Sequence, residues 1–174
     1  QLQHIEMTRD VASRVHAKLG DVFVIPEAKI QKENMLIPGL DGQKMSKSKG
    51  NVIDIFQTDK VLRKQIMSIQ TDSTPLEDPK DWASCNCFAL YKLLASEAQI
   101  TEMKQNYEAG SYGYGHAKQA LFELVCELFS EQRERYSYYM SNLEEIDHAL
   151  AVGAKKAATI ADAVLGRVRE KLGY

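Results

Sequence analysis

Lys44 and Lys47 stand three residues apart in the stretch LDGQKMSKSKGN, residues 40–51, interleaved with Met45, Ser46 and Ser48. The stretch is polar, carries a third cation at Lys49 and contains Gly42 and Gly50, so it reads as a loop. Cations so spaced on a mobile loop suit a reaction in which negative charge grows on a polyphosphate leaving group. Catalysis of that kind rests on positioning and on positive groups aimed at the developing charge. The small Ser46 lets the backbone approach a phosphate closely, and its N–H or hydroxyl can add a hydrogen bond. Gly42 and Gly50 give the loop freedom to open for substrate and close for chemistry. The bland alternative is a solvated lysine loop, and short motifs arise by chance.

The elements on either side must position this loop. Residues 2–19 have Ile5, Thr8, Val11, Ala12, Val15 and Leu19 at three- and four-residue spacing, predicting an amphipathic helix that Gly20 stops. Val22 to Ile25 is a short β-branched run closed by Pro26, and Met35 to Ile37 is another closed by Pro38 and Gly39; both are expected as strands. Helix, strand and strand in this order suggest the end of a parallel α/β domain. Asp59 is expected as the N-cap of a helix through about Ile69. Thr71 to Pro79, with two prolines and three acids, reads as a loop, and the domain boundary is placed there: 1–74 and 75–174.

Beyond the boundary the pattern is helical. Helices are expected over Phe88 to Leu94, around Ile100, Met103 and Tyr107, and along Leu121, Leu124, Val125, Leu128 and Phe129, with a Glu131–Arg135 pair on the last. Leu143 to Leu150 and Ile160 to Leu172 follow, with Gly153 either breaking or merely weakening the link between them. The turn-rich GSYGYG, residues 110–115, has no evident purpose in sequence. The fold class expected is therefore mostly α: the end of an α/β domain followed by an all-α bundle.

Composition narrows the classes. The chain has 174 residues, 44% of them hydrophobic, enough for a buried core, and a net charge of −2, so any contact with nucleic acid must come from local clusters. Three cysteines, Cys85, Cys87 and Cys126, make neither a disulfide framework nor a zinc pattern and suit a reducing cytoplasm; no metal ligands are predicted. No apolar run approaches the ~20 residues of a membrane span. The chain opens at Gln1 directly on helix-like sequence, which is expected of a C-terminal piece of a longer protein.

Lys44-Met45-Ser46-Lys47-Ser48 is identical to the KMSKS signature of class I aminoacyl-tRNA synthetases, and the rest of the chain resembles the bacterial tryptophanyl members. QLQHIEMTRDVA, residues 1–12, resembles the family segment DQxQHIExTRDxA. Thr71-Asp72-Ser73 matches its TDS turn, Asn86 its SNLL helix, Tyr114 to Lys118 its YGxxK turn, and Gly153 to Ala157 its GAxKA segment. The resemblance thus covers essentially the whole chain. It implies activation of tryptophan with ATP and Mg2+ to tryptophanyl-adenylate, then transfer to tRNA(Trp). It implies that Lys44 and Lys47 stabilise the pyrophosphate, that Met45, Ser46 and Ser48 complete the ATP loop, that Gln1 lies at the substrate pocket and that Met35 holds adenine through its backbone. His4 reads equally well as a surface polar residue. It also implies a Rossmann-type catalytic domain and a homodimer.

Several features depart from the family. The acidic residue that precedes the family glutamine is absent, Lys49 stands where an acid often follows KMSKS, and residues 31–43 are only loosely similar. The HIGH motif is not in these residues, so the chain alone is predicted inactive. Tyrosyl enzymes share the architecture, but their bacterial members usually carry a different lysine-loop sequence.

The C-terminal helices of the family bind the anticodon, where single-stranded bases are read by stacking and edge hydrogen bonds. Lys155, Lys156, Arg167, Arg169 and Lys171, opposed by Asp162 and Glu170, give residues 153–174 a local charge of +3. An ordinary solvated helix face would look the same residue by residue. Tyr136, Tyr138 and Tyr139 are either core residues or stacking platforms. A stand-alone helical module that binds tRNA or protein, and an α-rich domain with a chance lysine loop, are the rival readings.

Overall fold

The computed structural model describes residues 2–29 and 37–174. Among them, helices run over Leu2–Leu19 (α1), Asp59–Met67 (α2), Asn86–Lys92 (α3), Glu97–Ala109 (α4), Tyr114–Leu128 (α5), Ser130–Ser141 (α6) and Leu143–Leu172 (α7). The described residues form two compact units, residues 37–138 and residues 2–29 with 139–174.

The core of the first unit is built from the stripes the sequence shows. Leu62 and Ile66 of α2, Cys87, Phe88, Leu90 and Tyr91 of α3, Ile100, Met103 and Tyr107 of α4, and Ala117, Leu121, Leu124 and Val125 of α5 are all buried in one cluster. Helix α5 packs on both α2 and α3. Fully burying a leucine such as Leu121 contributes about 1.5–3 kcal/mol. Ser96 starts α4 with a capping box: Gln99 N–H donates to Ser96 Oγ, and Ser96 N–H donates back to Gln99 Oε1 at 2.9 Å. Lys118 of α5 donates to the carbonyl of Met67 at 3.1 Å, placing a cation at the C-terminal end of α2.

The aromatic turn has a structural purpose. The rings of Tyr112 and Tyr114 lie 5.8 and 6.1 Å from that of buried Tyr107, and the Tyr114 hydroxyl donates to Asp72 Oδ1 at 2.7 Å. Gly110 has φ +75°, and a Cβ there would strike the carbonyl oxygen of Glu77. Lys80 fixes the same loop from within. It is 4% exposed, and its ammonium donates to the carbonyls of Pro75, Leu76 and Asp78 at 2.9, 3.2 and 3.0 Å.

The second unit contains α1, the segment after it and α7. Helix α1 ends as expected: Gly20, at φ +75°, donates its N–H to the His16 carbonyl. His16 Nε2 accepts the Phe23 N–H at 3.0 Å, leaving Nδ1, 3.5 Å from Asp21, as the nitrogen that carries a proton. Of the predicted stripe, Ala12 is buried, Ile5, Val15 and Leu19 are half-buried, and Val11 is 60% exposed.

Several expectations are corrected. No strand occurs among the described residues; Val22 to Ile25 is irregular, with Val22 buried and Val24 exposed. A strand exists only when a neighbour satisfies its backbone groups, and no described segment pairs with this one. The second expected strand falls mostly outside the described residues; Ile37 is described and is irregular. Thr58, not Asp59, is the N-cap of α2, and Asp59 is its first residue. The Glu131–Arg135 pair, at 3.7 Å, lies on the separate helix α6, because the chain leaves helical geometry at Phe129. Helix α7 passes through Gly153 without a break, so that glycine only weakens a continuous element.

Candidate ATP-loop site

Residues 37–51 form a small hydrogen-bonded structure. Met45 N–H donates to the Ile37 carbonyl at 2.9 Å, Gly39 N–H to Gln43 at 2.7 Å, and Pro38 and Lys44 make an isolated antiparallel bridge. The reversal is a tight turn in which Gly42 N–H donates to the Gly39 carbonyl at 3.0 Å. Gly42 follows at φ +75°, a conformation glycine adopts without a Cβ penalty. A Cβ on Gly42 would also meet the Asn86 side chain at the start of α3. The turn is tied to the unit by Gln70 N–H, which donates to the Leu40 carbonyl at 2.8 Å. Leu40 and Met45 pack on the helical core, so the motif methionine is an anchor.

Ser46 to Gly50 makes one 3-10 turn. Lys49 N–H donates to the Ser46 carbonyl and Gly50 N–H to that of Lys47, both at 3.2 Å, and Gly50 closes the turn at φ +66°. The Ser46 and Ser48 hydroxyls are 2.8 Å apart and bonded to each other.

Asn51, which nothing in the sequence sets apart from its loop neighbours, sits at the centre. It is 4% exposed. Its Oδ1 accepts the Ser46 N–H at 2.8 Å; its Nδ2 donates to Asp41 Oδ1 at 2.7 Å and to the Lys44 carbonyl at 3.3 Å. Its backbone carbonyl accepts the Leu40 N–H at 3.0 Å. The Asn51 hydrogen bond, joined by one from the Gln43 N–H, holds the Asp41 carboxyl below its ordinary range. Gly39 passes so close that any Cβ would overlap the Asn51 amide. The only sequence signal for Asn51 was its place just after the motif.

The three loop lysines differ. Lys49 donates to Gln43 Oε1 at 2.6 Å. Lys44 and Lys47 are exposed, and among the described residues neither ammonium has a protein partner. Lys44 borders a depression of about 370 Å3 whose other wall includes Ser84 and Asn86. Chemically, the arrangement offers two available cations on a braced backbone. Gln1 and Met35 lie outside the described residues. His4 is exposed, and its carbonyl accepts the Thr8 hydroxyl.

The residues expected to meet tRNA are all on α7 and all exposed, but they do not form one patch. At 100° and 1.5 Å per residue, Lys156, Arg167 and Lys171 share one side while Lys155 and Arg169 share another, and Lys155 and Arg167 are roughly 18 Å apart along the axis. Arg167 also donates to the Val22 carbonyl at 3.5 Å. Tyr136 stacks on Phe56 with ring centroids 4.6 Å apart, so that ring already has an aromatic partner. Tyr138 and Tyr139 are exposed and also engaged. Cys85 and Cys87 are buried in the core, and burial pushes the Cys87 thiol up to about 12.

Residues 1–130 match the family model described as tRNA synthetases class I (W and Y). The chain belongs to this family. Within it the likeness is to bacterial tryptophan–tRNA ligases: 45% identity to that of Campylobacter jejuni strain RM1221 and 43% to that of Rhodopirellula baltica, in each case over 173 residues and 99% of the chain. The chain spans 54% of the length of both relatives. Among solved structures, Campylobacter jejuni tryptophanyl-tRNA synthetase complexed with ADP and tryptophan matches the whole chain with a TM-score of 0.87 at 45% identity, over 55% of that structure. The Mycoplasma pneumoniae tryptophanyl-tRNA synthetase matches with a TM-score of 0.70 at 26% identity, over 54% of its chain. The lysine loop, residues 44–48, lies within the stretch that matches the family model.

Proposed function

We propose that this chain supplies the lysine-loop wall of the active site, and the tRNA-reading helices, of a tryptophan–tRNA ligase. The full-length protein uses ATP and Mg2+ to convert tryptophan to tryptophanyl-adenylate, then transfers it to tRNA(Trp). The observation that carries the reading is a pair of ammonium groups, Lys44 and Lys47, with no partner among the described residues, on a loop whose backbone is fixed by its own hydrogen bonds. As the carboxylate attacks the α-phosphate, charge accumulates on the departing pyrophosphate. Lys44 and Lys47 meet that charge, and Ser46 and Ser48 shape the turn between them. ATP, with its Mg2+, would lie against the exposed face of this loop.

Residues 1–74 are assigned to the Rossmann-type catalytic domain and residues 75–174 to the anticodon-binding domain. The chain spans about half the length of its relatives, so the neighbours that would make Val22 to Ile25 a sheet strand belong to the remainder of the full-length protein. The HIGH sequence, absent from these residues, belongs there as well. So does much of the interface of the homodimer the family forms. Lys155, Lys156, Arg167 and Arg169 are the candidates for contact with the tRNA backbone.

The test is tryptophan-dependent pyrophosphate exchange by the full-length protein. Lys44→Ala or Lys47→Ala is expected to slow it by at least about a hundredfold, the scale for losing one aligned transition-state donor. Unchanged exchange with either variant removes the role from that lysine.

A further inference from the structure

We propose that Asn51 is a positioning residue for the reaction: it holds Lys44 at the height and angle from which its ammonium meets the leaving group. The inference rests on the reading of the loop given above and adds a residue outside its lysines and serines. Asn51 grips the backbone on both sides of Met45, accepting from the Ser46 N–H at 2.8 Å and donating to the Lys44 carbonyl at 3.3 Å. Its remaining donor goes to Asp41 Oδ1 at 2.7 Å, across the turn. One amide therefore fixes the segment that carries Lys44 against the opposite limb of the hairpin. Ser46 N–H is used in this way and is not available to a phosphate, so the loop's charge comes from the side chains.

The site is built to need an amide. Asn51 is 4% exposed, so water does not substitute for its partners, and Gly39 leaves no space for a larger side chain. Lys49, the third cation of the loop, is bonded to Gln43. The loop thus divides its polar groups into a braced set, Asp41, Gln43, Lys49 and Asn51, and a presented set, Lys44 and Lys47.

A charge introduced into the brace tests this in the full-length protein. Asn51→Asp keeps the shape and the acceptor for Ser46 but sets a second carboxylate against that of Asp41. The segment is expected to swing out and kcat for pyrophosphate exchange to fall on the order of a hundredfold, the scale for an ångström of misplacement. KM for tryptophan is expected to stay unchanged, because the loop is assigned to the leaving group and not to the amino acid. Adding Asp41→Asn removes the repulsion and returns a donor from the other side, though not the bond to the Lys44 carbonyl, and the double variant is expected to regain part of the loss. A merely structural asparagine would not give the split between kcat and KM. Unchanged kcat in Asn51→Asp overturns the inference, as does a double variant no better than the single. Lys44→Ala is measured alongside: if it is impaired while Asn51→Asp is not, only the role of Asn51 fails. If Lys44→Ala is itself unimpaired, the reading of the loop fails and the inference with it.

Discussion

The Lys49 ammonium donates to the side-chain carbonyl of Gln43 at 2.6 Å, whereas Lys44 and Lys47 in the same loop have no protein partner among the described residues. A cation already engaged adds less to a developing negative charge than one that is free to reorient. Lys49→Ala in the full-length protein is therefore expected to slow pyrophosphate exchange by less than about tenfold, against at least about a hundredfold for Lys44→Ala or Lys47→Ala. Equal losses at all three positions would show that the Gln43 contact does not set Lys49 apart.

The 174-residue chain by itself is expected to support no tryptophan-dependent pyrophosphate exchange. It holds the lysine loop and the brace behind it but no HIGH sequence. Cations on one wall do not assemble the near-attack geometry that gives activation its rate. Exchange above background by the purified chain would contradict this.

Lys80→Met is expected to destabilise the protein by roughly 1–3 kcal/mol, the cost of leaving buried acceptors without a donor. The methionine keeps the stem and loses the ammonium that gathers the carbonyls of Pro75, Leu76 and Asp78. A urea titration of wild type and variant measures it. A difference near zero would mean that solvent replaces the ammonium without penalty.

Acid is expected to loosen the same regions. Asp41 is held below its ordinary range chiefly by Asn51, Asp72 by hydrogen bonds from Thr74 and Tyr114, and Asp81 by Ser84 and the Ala83 N–H. A carboxylate with a depressed folded-state pKa stabilises the fold above its unfolded-state value and loses that contribution as pH falls through the folded one. Stability should thus decline progressively below about pH 4. In melts between pH 7 and pH 3, the gap between wild type and Asp72→Asn should narrow as pH drops. A gap independent of pH would exclude Asp72 from the effect.

The helices were legible because burial repeats. Ile100, Met103 and Tyr107, and Leu121, Leu124 and Val125, recur at helical spacing and all are buried. The strand expected over Val22 to Ile25 rested on β-branched residues alone; no described segment pairs with them, and the stretch is irregular. Lys80 and Asn51 were not legible. Each serves backbone groups that a loop brings together through its own path, and such convergence leaves no periodic trace in sequence. For the same reason the lysines could be picked out, but which of them is free could not: that depends on where Gln43 comes to lie.

The circuit through Asn51 has a thermodynamic consequence. Conformational entropy of the backbone from Ile37 to Asn51 is surrendered when the chain folds. A nucleotide bound at Lys44 and Lys47 as proposed would have only two flexible side chains of this loop left to restrain. Its binding should then show the small ordering penalty of a rigid receptor, with a correspondingly modest heat-capacity change, instead of the signature of a segment that folds around its ligand.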